Sequence, residues 1–548
     1  MERVLCSEQA CRYAALALIL ISFGCGDTSA SGPDGSCCSA DTVRAGDDRD
    51  RFTVQSEGPL KVTDEGLVLL SADGTADLTL IPVVKVDGSW LEPDPVVDCE
   101  VDEDFFRCDL EGVGGVRVAT AGTTCSVELE AARALSLEAL GLTGVLRLPG
   151  ATSWLSNGFQ SWSQSGLLAL GPAVEESELE ALLKKQGDAE VLREGKGSSW
   201  WYSYIGGGEN ALVAGVHTAE NFKSWVQVSG EGNEGEWKLR MVSGGTGEEV
   251  AMKVGEQMKS EIWHLSVGAE IQDLLEAYAF GLDTRIHAGK REGSSAPIGW
   301  NSWYDLWDGI GAEDIEANAV LLAEIVKDWP EVQGRNLRVV VDDGWQIAWG
   351  QWDANEKFPG GMEALAETIK GQGFAPGIWF APILVEDSNV LVKEKPDWFV
   401  QGAQWVHPVH GAMRILDLTH PEAETHLGEV VKRIVGWGYS LLKIDFLFAA
   451  TFEGQRVSPM TGMAHYNRAL EIIRTAAGDD VEILAVGAPP LPTLKYVDSW
   501  RSGGDIAFEN FDHRQCGQRA STQFVAKLSS ALEQAAVEIE HVTRIGFT

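Results

Sequence analysis

The 548-residue chain is poor in basic residues, with 43 Lys and Arg against 82 Asp and Glu and a formal net charge of −39. Nucleic acid and anionic membrane surfaces repel such a chain, so we expect neither as a partner. The chain has only 10 His, and its nine Cys form no C-x-x-C pair. The usual sequence patterns of zinc sites are therefore absent. We expect no metal or organic cofactor, and a neutral substrate.

The N-terminal segment lacks an apolar run long enough to cross a bilayer. The run from Ala14 to Ile21 is too short for that, and it is followed closely by Cys25. This arrangement resembles a bacterial lipoprotein signal, so we expect an export signal over residues 1–25, lipidation of Cys25 and a flexible linker over residues 26–50. Simple signal cleavage is the alternative, and palmitate labelling of the Cys25→Ser variant separates the two. Both predict an exported protein of the cell envelope, periplasm or extracellular space. Contact with a membrane is expected only if Cys25 carries a lipid.

What is abundant is tryptophan, with 20 Trp against 8 Tyr. Most buried Trp serve a hydrophobic core. An indole face also packs well against the C–H face of a pyranose ring, so an excess of Trp suits a protein that binds a neutral oligosaccharide.

Residues 51–290 have the pattern of a large antiparallel β-sandwich. Short apolar runs are separated by Gly-rich turn sequences such as Asp73-Gly74, Gly114-Gly115 and Gly206-Gly207-Gly208. A helical insertion is predicted near residues 175–185. Cys99 and Cys108 are placed to bridge a hairpin, although the sequence leaves the pairing open.

Residues 295–548 alternate strand-like runs with amphipathic helices, the pattern of a (β/α)8-type TIM barrel. The predicted strands are Ile298 to Trp303, Leu337 to Asp342, Ala375 to Phe380, Tyr439 to Phe446, Val481 to Val486 and Val497 to Ser499. They are nearly continuous apolar segments, as buried parallel strands are. Residues 544–548 resemble the start of a seventh strand, so we expect the barrel to be incomplete at its C-terminal end.

Polar and aromatic side chains recur where these strands end, and the C-terminal ends of barrel strands form the catalytic face. They are Trp303 and Asp305 at the end of strand one, Asp342 and Asp343 at the end of strand two, Trp379 in strand three, Lys443 and Asp445 in strand four, and Arg501 and Asp505 after strand six. An Asp after a strand is more often a helix N-cap than a catalyst, and Lys443 beside Asp445 also suits a structural ion pair. The recurrence of such residues on one rim favours a functional site.

Several motifs in this region resemble the α-galactosidases of glycoside hydrolase family 36, in the melibiase clan. They are Gly299-Trp300-Asn301-Ser302-Trp303-Tyr304, Asp342-Asp343-Gly344-Trp345-Gln346, Lys357-Phe358-Pro359-Gly360-Gly361-Met362, Pro376-Gly377-Ile378-Trp379, Leu416-Asp417-Leu418-Thr419-His420-Pro421, Leu442-Lys443-Ile444-Asp445-Phe446-Leu447, Gly487-Ala488-Pro489 and Trp500-Arg501-Ser502-Gly503-Gly504-Asp505. They extend over residues 298–506. The sandwich segment Asn157-Gly158-Phe159-Gln160-Ser161-Trp162-Ser163 is a weaker match. Val486 departs from the Cys of many relatives, and the chain beyond Asn510 does not align.

The resemblance implies a retaining α-galactosidase in which Asp445 is the nucleophile and Asp505 the acid/base. It also implies that Asp342, Asp343, Lys443 and Arg501 bind the galactose hydroxyls, with Trp303 and Trp379 lining the sugar pocket; Asp305 is a further candidate. We expect Lys443 to hold Asp445 anionic, and the acidic rim to raise the pKa of Asp505.

Three other functions stay open at this point. A transglycosylase shares the first chemical step, and an α-N-acetylgalactosaminidase differs in the pocket around C2 of the sugar. An inactive truncated relative that only binds sugar is the third. The expected substrates are α-galactosides of the melibiose and raffinose kind, and the oligomeric state is left open.

Overall fold

A computed structural model describes residues 60–95, 97–102, 105–163, 165–172, 198–230, 235–286, 298–329, 332 and 336–501. Several predicted features lie outside the described residues. They are the export signal with Cys25, the linker, the helix near residues 175–185, Asp505 and the seventh strand. The domain boundaries given above stay predictions.

The first part of the described chain consists of β-strands. Their bounds are β1 Lys61–Thr63, β2 Gly66–Leu70, β3 Asp77–Val86, β4 Ser89–Leu91, β5 Cys99–Asp102, β6 Phe105–Leu110, β7 Gly114–Ala121, β8 Thr124–Ala131, β9 Leu135–Arg147, β10 Ser153–Ser156, β11 Gly166–Ala169, β12 Ser199–Trp200, β13 Tyr202–Gly206, β14 Ala211–Val216, β15 Ser224–Ser229, β16 Glu236–Gly244, β17 Val250–Met252, β18 Gln257–Lys259 and β19 Trp263–Gly268.

These strands form two antiparallel sheets. One has the order β1-β2-β3-β9-β16-β15-β12, with β4 paired to β3 and β17 to β9. The other has the order β11-β10-β13-β14-β19-β8-β7-β6-β5, with β18 paired to β8. Buried side chains from both sheets form a continuous hydrophobic core. The predicted β-sandwich is therefore confirmed.

Two details of the sandwich were undecided or wrong in the sequence reading. Cys99 and Cys108 face each other across the β5–β6 hairpin and are joined by a disulfide, which settles the pairing. The pair Gly114-Gly115 is not a turn, because both residues lie in β7. Gly114 has φ +149°, and a Cβ there would lie 2.0 Å from the carbonyl oxygen of Glu130. The glycine therefore serves close strand packing.

A helix, α1 Ile271–Ile286, follows the sandwich and leads towards a parallel sheet. The sheet has the order β20-β21-β24-β28-β29-β30, and all its pairings are parallel. Its strands are β20 Ile298–Asn301, β21 Leu337–Val341, β24 Ala375–Phe380, β28 Leu441–Ile444, β29 Glu482–Ala485 and β30 Ser499–Trp500. Each overlaps one of the six predicted strands, although β30 shares only Ser499 with its prediction. The barrel part of the prediction is thereby confirmed for the described residues.

Helices alternate with these strands. The longer ones form where apolar residues recur with helical spacing. They are α2 Trp303–Leu306, α3 Ala312–Val326, α4 Gly361–Gly371, α5 Val390–Glu394, α6 Pro421–Gly436, α7 Gly462–Ala477 and α8 Pro490–Thr493. Short 3-10 helices span Trp307–Gly309, Pro396–Trp398 and Leu447–Thr451. The predicted amphipathic helices are represented by α3, α6 and α7, each of which buries apolar residues along one face. No helix among the described residues is both long and apolar enough to cross a membrane.

Two small sheets in the barrel region were not predicted. A hairpin pairs β22 Gln346–Ala348 with β23 Gln351–Ala354, after strand β21. A three-stranded sheet of β25 Leu384–Glu386, β26 Trp405–His407 and β27 Gly411–Ile415 lies between β24 and α6 in the chain. Both follow strands of the parallel sheet, so both extend from its C-terminal edge.

Candidate active site

The candidate residues of neighbouring parallel strands meet at one edge of the sheet. Asp342 follows the last residue of β21, and Asp445 follows the last residue of β28. Trp379 of β24 lies in register with Lys443 of β28. Because parallel strands place their C-terminal ends on the same side, separate sequence motifs converge on one site.

Asp445 is buried and held in place by two hydrogen bonds. Trp379 donates its Nε1–H to Oδ2 at 3.0 Å, and the backbone N–H of Phe446 donates to Oδ1 at 2.7 Å. Burial raises the pKa of Asp445 to about 6, against the lowering effects of Lys443, Trp379 and Arg501. The carboxyl group is therefore fixed in orientation and is mostly ionised at neutral pH.

The backbone turns sharply next to Asp445. Phe446 has φ +56°, in the left-handed region that non-glycine residues seldom adopt. Such strain is kept where surrounding contacts over-determine it. The Phe446 ring packs against Trp162 of the sandwich, Trp349 and Trp405, with centroids 4.9, 4.9 and 5.2 Å away. These aromatic contacts fix the turn, and the turn points the Phe446 N–H at the Asp445 carboxylate.

Lys443 is paired with Asp342 in a buried network. Its Nζ lies 2.6 Å from Asp342 Oδ2, and both side chains are almost fully buried. Asn301 donates its Nδ2–H to the same oxygen at 2.8 Å, and Ser302 Oγ accepts the Asp342 N–H at 2.9 Å. The expected effect of Lys443 on Asp445 is thus correct only in sign. Its charge lowers the pKa of Asp445, but burial has the larger effect.

Asp343 is the second buried carboxyl group on this edge. Gln346 donates its Nε2–H to Oδ1 at 2.5 Å, and His410 Nε2 lies 3.9 Å from Oδ2. Burial raises the pKa of Asp343 to about 6, with a further raising effect from Asp342. Asp343 is thus a buried hydrogen-bond acceptor whose ionised form is costly to maintain.

The raised pKa of Asp343 makes a pH-dependent contribution to stability. Its ordinary value is 3.8, so the contribution is fully present below that pH and is lost as the pH rises through about 6. We expect Asp343→Asn to raise the free energy of unfolding relative to wild type at pH 7.5. This gain should be about 2 kcal/mol larger at pH 7.5 than at pH 4.5. Urea unfolding at the two pH values measures this. Asp64→Asn, at an exposed turn, is the control, and an equal effect of Asp343→Asn at both pH values would contradict the assignment.

The other predicted site residues are Arg501, Trp303, Asp305 and Asp505. Arg501 follows β30, and its charge lowers the pKa of Asp445, so it lies on the same edge. Trp303 begins α2 and is half-buried, with its ring 5.2 Å from that of Trp307. The backbone of Asp305 lies in α2, but its side chain is not among the described parts. Asp505 lies outside the described residues.

The two unpredicted sheets add residues that the sequence reading missed. They bring Glu386, His407, His410, Trp349 and Trp405 to the edge that holds Asp343 and Phe446. The stretch Trp405-Val406-His407-Pro408-Val409-His410 was the available signal, because it concentrates aromatic and titratable side chains in the long connection after β24. Among the described residues, no group of three or more His, Cys, Asp or Glu is arranged to hold a metal ion.

The sandwich also reaches the site. Ser161 and Ala488 exchange hydrogen bonds of 3.2 Å, which place the Asn157–Ser163 segment beside the end of β29. Trp162 of this segment packs on Phe446 and Phe448, with centroids 4.9 and 5.8 Å away. The weaker sandwich motif therefore lies next to the residue that follows Asp445.

Comparison with known proteins agrees with this geometry. The melibiase family model matches residues 280–448, which include Asp342, Lys443 and Asp445. Over this segment the chain is similar to the melibiase family. The expected resemblance to the α-galactosidases of glycoside hydrolase family 36 is thereby confirmed.

Two curated α-galactosidases illustrate the extent of the sequence similarity. The Escherichia coli enzyme is 30% identical over 94 residues, which are 16% of this chain and 13% of that protein. AgaA of Geobacillus stearothermophilus is 30% identical over 123 residues, which are 21% of this chain and 16% of AgaA. The matched segments thus span less than a fifth of either relative.

Solved melibiase-type structures share the fold over a longer range. TtGalA of Thermus thermophilus, in complex with p-nitrophenyl α-D-galactopyranoside, superposes with a TM-score of 0.53 and 24% identity, covering 80% of this chain and 82% of TtGalA. G. stearothermophilus AgaA gives a TM-score of 0.52 at 13% identity, covering 87% of this chain and 63% of AgaA. The overall fold is therefore shared with these proteins.

Proposed function

We propose that the chain is a retaining α-galactosidase that hydrolyses terminal α-galactosyl residues through a covalent galactosyl-enzyme. The observation that carries the proposal is the environment of Asp445. This buried carboxylate lies at the end of β28, is oriented by Trp379 and the Phe446 N–H, and lies next to the Lys443–Asp342 pair. A fixed, ionised carboxylate beside groups that bind sugar hydroxyls is what a glycosidase nucleophile requires.

The proposed chemistry has two displacements. Asp445 attacks the anomeric carbon and forms an ester bond while the glycosidic C–O bond breaks, and Asp505 gives its proton to the leaving oxygen. Asp505 then takes a proton from water, and the water oxygen attacks the same carbon and releases Asp445. Two inversions leave the product with the α configuration. Microscopic reversibility requires the same residue to act as acid and then as base.

The groups around Asp445 suit the recognition of a neutral sugar. Asp342 and Asp343 are hydrogen-bond acceptors for hydroxyl groups, and Lys443 is a donor. The indole of Trp379 supplies an apolar wall, although its buried N–H is already used by Asp445. Since Lys443 neutralises Asp342, the pocket bears less negative charge than its three carboxyl groups suggest.

The substrate class proposed is an α-galactoside of the melibiose or raffinose kind. Neighbours of the same fold were solved with such ligands: TtGalA in complex with stachyose, and a variant of G. stearothermophilus AgaA in complex with raffinose. Both ligands carry terminal α-galactosyl groups, which supports the same class for this chain. The transfer of galactose to another sugar and the hydrolysis of α-N-acetylgalactosaminides are tested by the same experiment.

The test compares p-nitrophenyl α-galactoside with the α-glucoside and the α-N-acetylgalactosaminide, followed by melibiose and raffinose. We expect hydrolysis of the galactosides, with α-galactose as the first product in proton NMR spectra. Formation of β-galactose first would refute retention. Faster cleavage of the N-acetylgalactosaminide, or products longer than the substrate at low sugar concentration, would favour the other activities. No cleavage of any substrate by folded protein would overturn the proposed function.

A further inference from the structure

His410 connects two carboxylates at the rim of the candidate site. It lies in the turn between β26 and β27, with Nδ1 3.5 Å from Glu386 Oε1 and Nε2 3.9 Å from Asp343 Oδ2. An imidazole has hydrogen on both nitrogens only when it is protonated. Only that form presents a donor to Glu386 and to Asp343 at the same time.

The turn that carries His410 is held by a second histidine. His407 Nδ1 accepts the backbone N–H groups of Val409 and His410 at 3.1 and 3.0 Å. Burial lowers the pKa of His407 to about 4, so this ring stays neutral near neutral pH. Trp349 lies against both rings, with centroids 5.1 Å away in each case. His407 and Trp349 therefore position the His410 ring without competing for its proton.

The charged groups that face His410 are acidic. Glu386 on β25, Asp343 after β21 and Asp308 in the 3-10 helix Trp307–Gly309 all raise the pKa of His410, with Glu386 having the largest effect. His407 is the only titratable group among those contacts that can become positive, and it is neutral near pH 7. The surroundings of His410 thus favour its protonated form.

We propose that His410 is a positioning residue for sugar binding. Its protonated imidazole bridges Glu386 and Asp343, orients the Asp343 carboxylate and keeps it ionised as an acceptor for a substrate hydroxyl, so that substrate affinity falls when this proton is lost. The inference deepens the proposed function and rests on it for the identity of the ligand.

Two titrations should limit the affinity for sugar, that of Asp343 at low pH and that of His410 at high pH. At low pH, Asp343 takes up a proton and loses its strength as an acceptor; burial raises the pKa of Asp343 to about 6, and the His410 charge opposes that rise. At high pH, neutral His410 no longer donates to both carboxylates. Affinity for a neutral sugar should therefore pass through a maximum, and its alkaline limb should belong to His410.

The first experiment measures the dissociation constant of galactose against pH by calorimetry, on the full chain. Galactose is suitable because it does not titrate in this range. We expect His410→Gln to weaken binding roughly tenfold at the wild-type optimum, as the loss of a charge-assisted contact does. The variant should also lose the fall in affinity at alkaline pH.

His410→Arg supplies a permanent cation, so it should keep affinity at high pH. His426→Gln is the matched control and should leave the profile unchanged, because His426 is a half-buried residue of α6 whose ring lies against Trp398, away from the site.

A kinetic split separates positioning from general damage to the fold. His410→Gln should raise KM for p-nitrophenyl α-galactoside while changing kcat by a much smaller factor, because Asp445 keeps its own contacts. An alkaline limb that persists in both His410→Gln and His410→Arg would overturn the inference. A roughly tenfold fall in kcat with an unchanged KM would also overturn the inference.

A second readout does not depend on activity. Histidine labelled with 13C at Cε1 gives one NMR signal per residue, and the signal missing from His410→Gln identifies His410. We expect its pKa to fall in Asp343→Asn and in Glu386→Gln, because each change removes a facing carboxylate. If wild type binds no galactose, the proposed function fails while this titration still tests the bridge. An unchanged His410 pKa in both variants would refute the bridge itself.

Discussion

Replacing Asp445 by Asn is expected to lower kcat for α-galactosides by at least about 10⁴-fold, the scale seen when an enzyme loses its nucleophile. The amide cannot form the ester intermediate. Folding should survive, because Asn fills the same space and removes a buried carboxylate whose pKa is raised to about 6 by burial. Steady-state kinetics and urea unfolding of the variant measure the two effects separately.

Covalent labelling identifies the nucleophile directly. A 2-deoxy-2-fluoro-galactosyl inhibitor should modify wild type, and peptide mass mapping should place the label in residues 442–446. Asp64→Asn, which removes an exposed carboxylate far along the chain from this edge, is the control and should be labelled as the wild type is. A label on another carboxylate, or an Asp445→Asn variant with appreciable activity, would require a different assignment.

Replacing Lys443 by Met is expected to have the largest effect on stability. Lys443 and Asp342 form an ion pair with side chains only 6% and 3% exposed. Removing one partner of such a pair leaves an uncompensated buried charge, which costs about 3–5 kcal/mol. Met retains most of the side-chain volume, so the loss should come mainly from the charge. Urea unfolding at neutral pH measures it.

The same change should alter the chemistry of Asp445. Lys443 is the largest of the groups that lower the pKa of Asp445, so its removal raises that pKa further. The ionised nucleophile then forms at higher pH, and we expect the acidic limb of kcat/KM to move upward in the pH profile. A profile that keeps its wild-type position while the rate falls would show that Lys443 acts on the substrate alone.

A second substitution separates stability from activity. In Lys443→Met/Asp342→Asn, no buried charge is left without a partner, so much of the lost stability should return. Activity should not return, because both proposed sugar contacts are gone. Lys370→Met, which breaks an exposed ion pair with Glu367 on α4, is the control and should change stability by less than about 1 kcal/mol. Failure of the double variant to recover stability would contradict the pairing.

The spacing of apolar residues along the chain was enough to predict the order of helices and parallel strands. The apolar spacing of α3, α6 and α7 depends only on neighbours three or four residues away, and the buried faces match it. The six parallel strands could be read as apolar segments for the same reason. The predicted boundaries differ from the observed ones: β28 was predicted from Tyr439 to Phe446 but spans Leu441–Ile444, so Asp445 follows the strand. The Gly114-Gly115 pair was misread, because only the neighbouring strand shows why Gly114 must lack a Cβ.

The sequence by itself determined which strand ends carry Asp342, Asp343, Lys443 and Asp445. The direction of parallel strands is enough to bring those ends to one edge. The tertiary structure alone decided that Lys443 pairs with Asp342, that burial outweighs its charge at Asp445, and that His410 lies between Asp343 and Glu386. Pairing and burial depend on distances between segments far apart in the chain. Spacing along the chain does not encode those distances, because they arise only when the sheets pack.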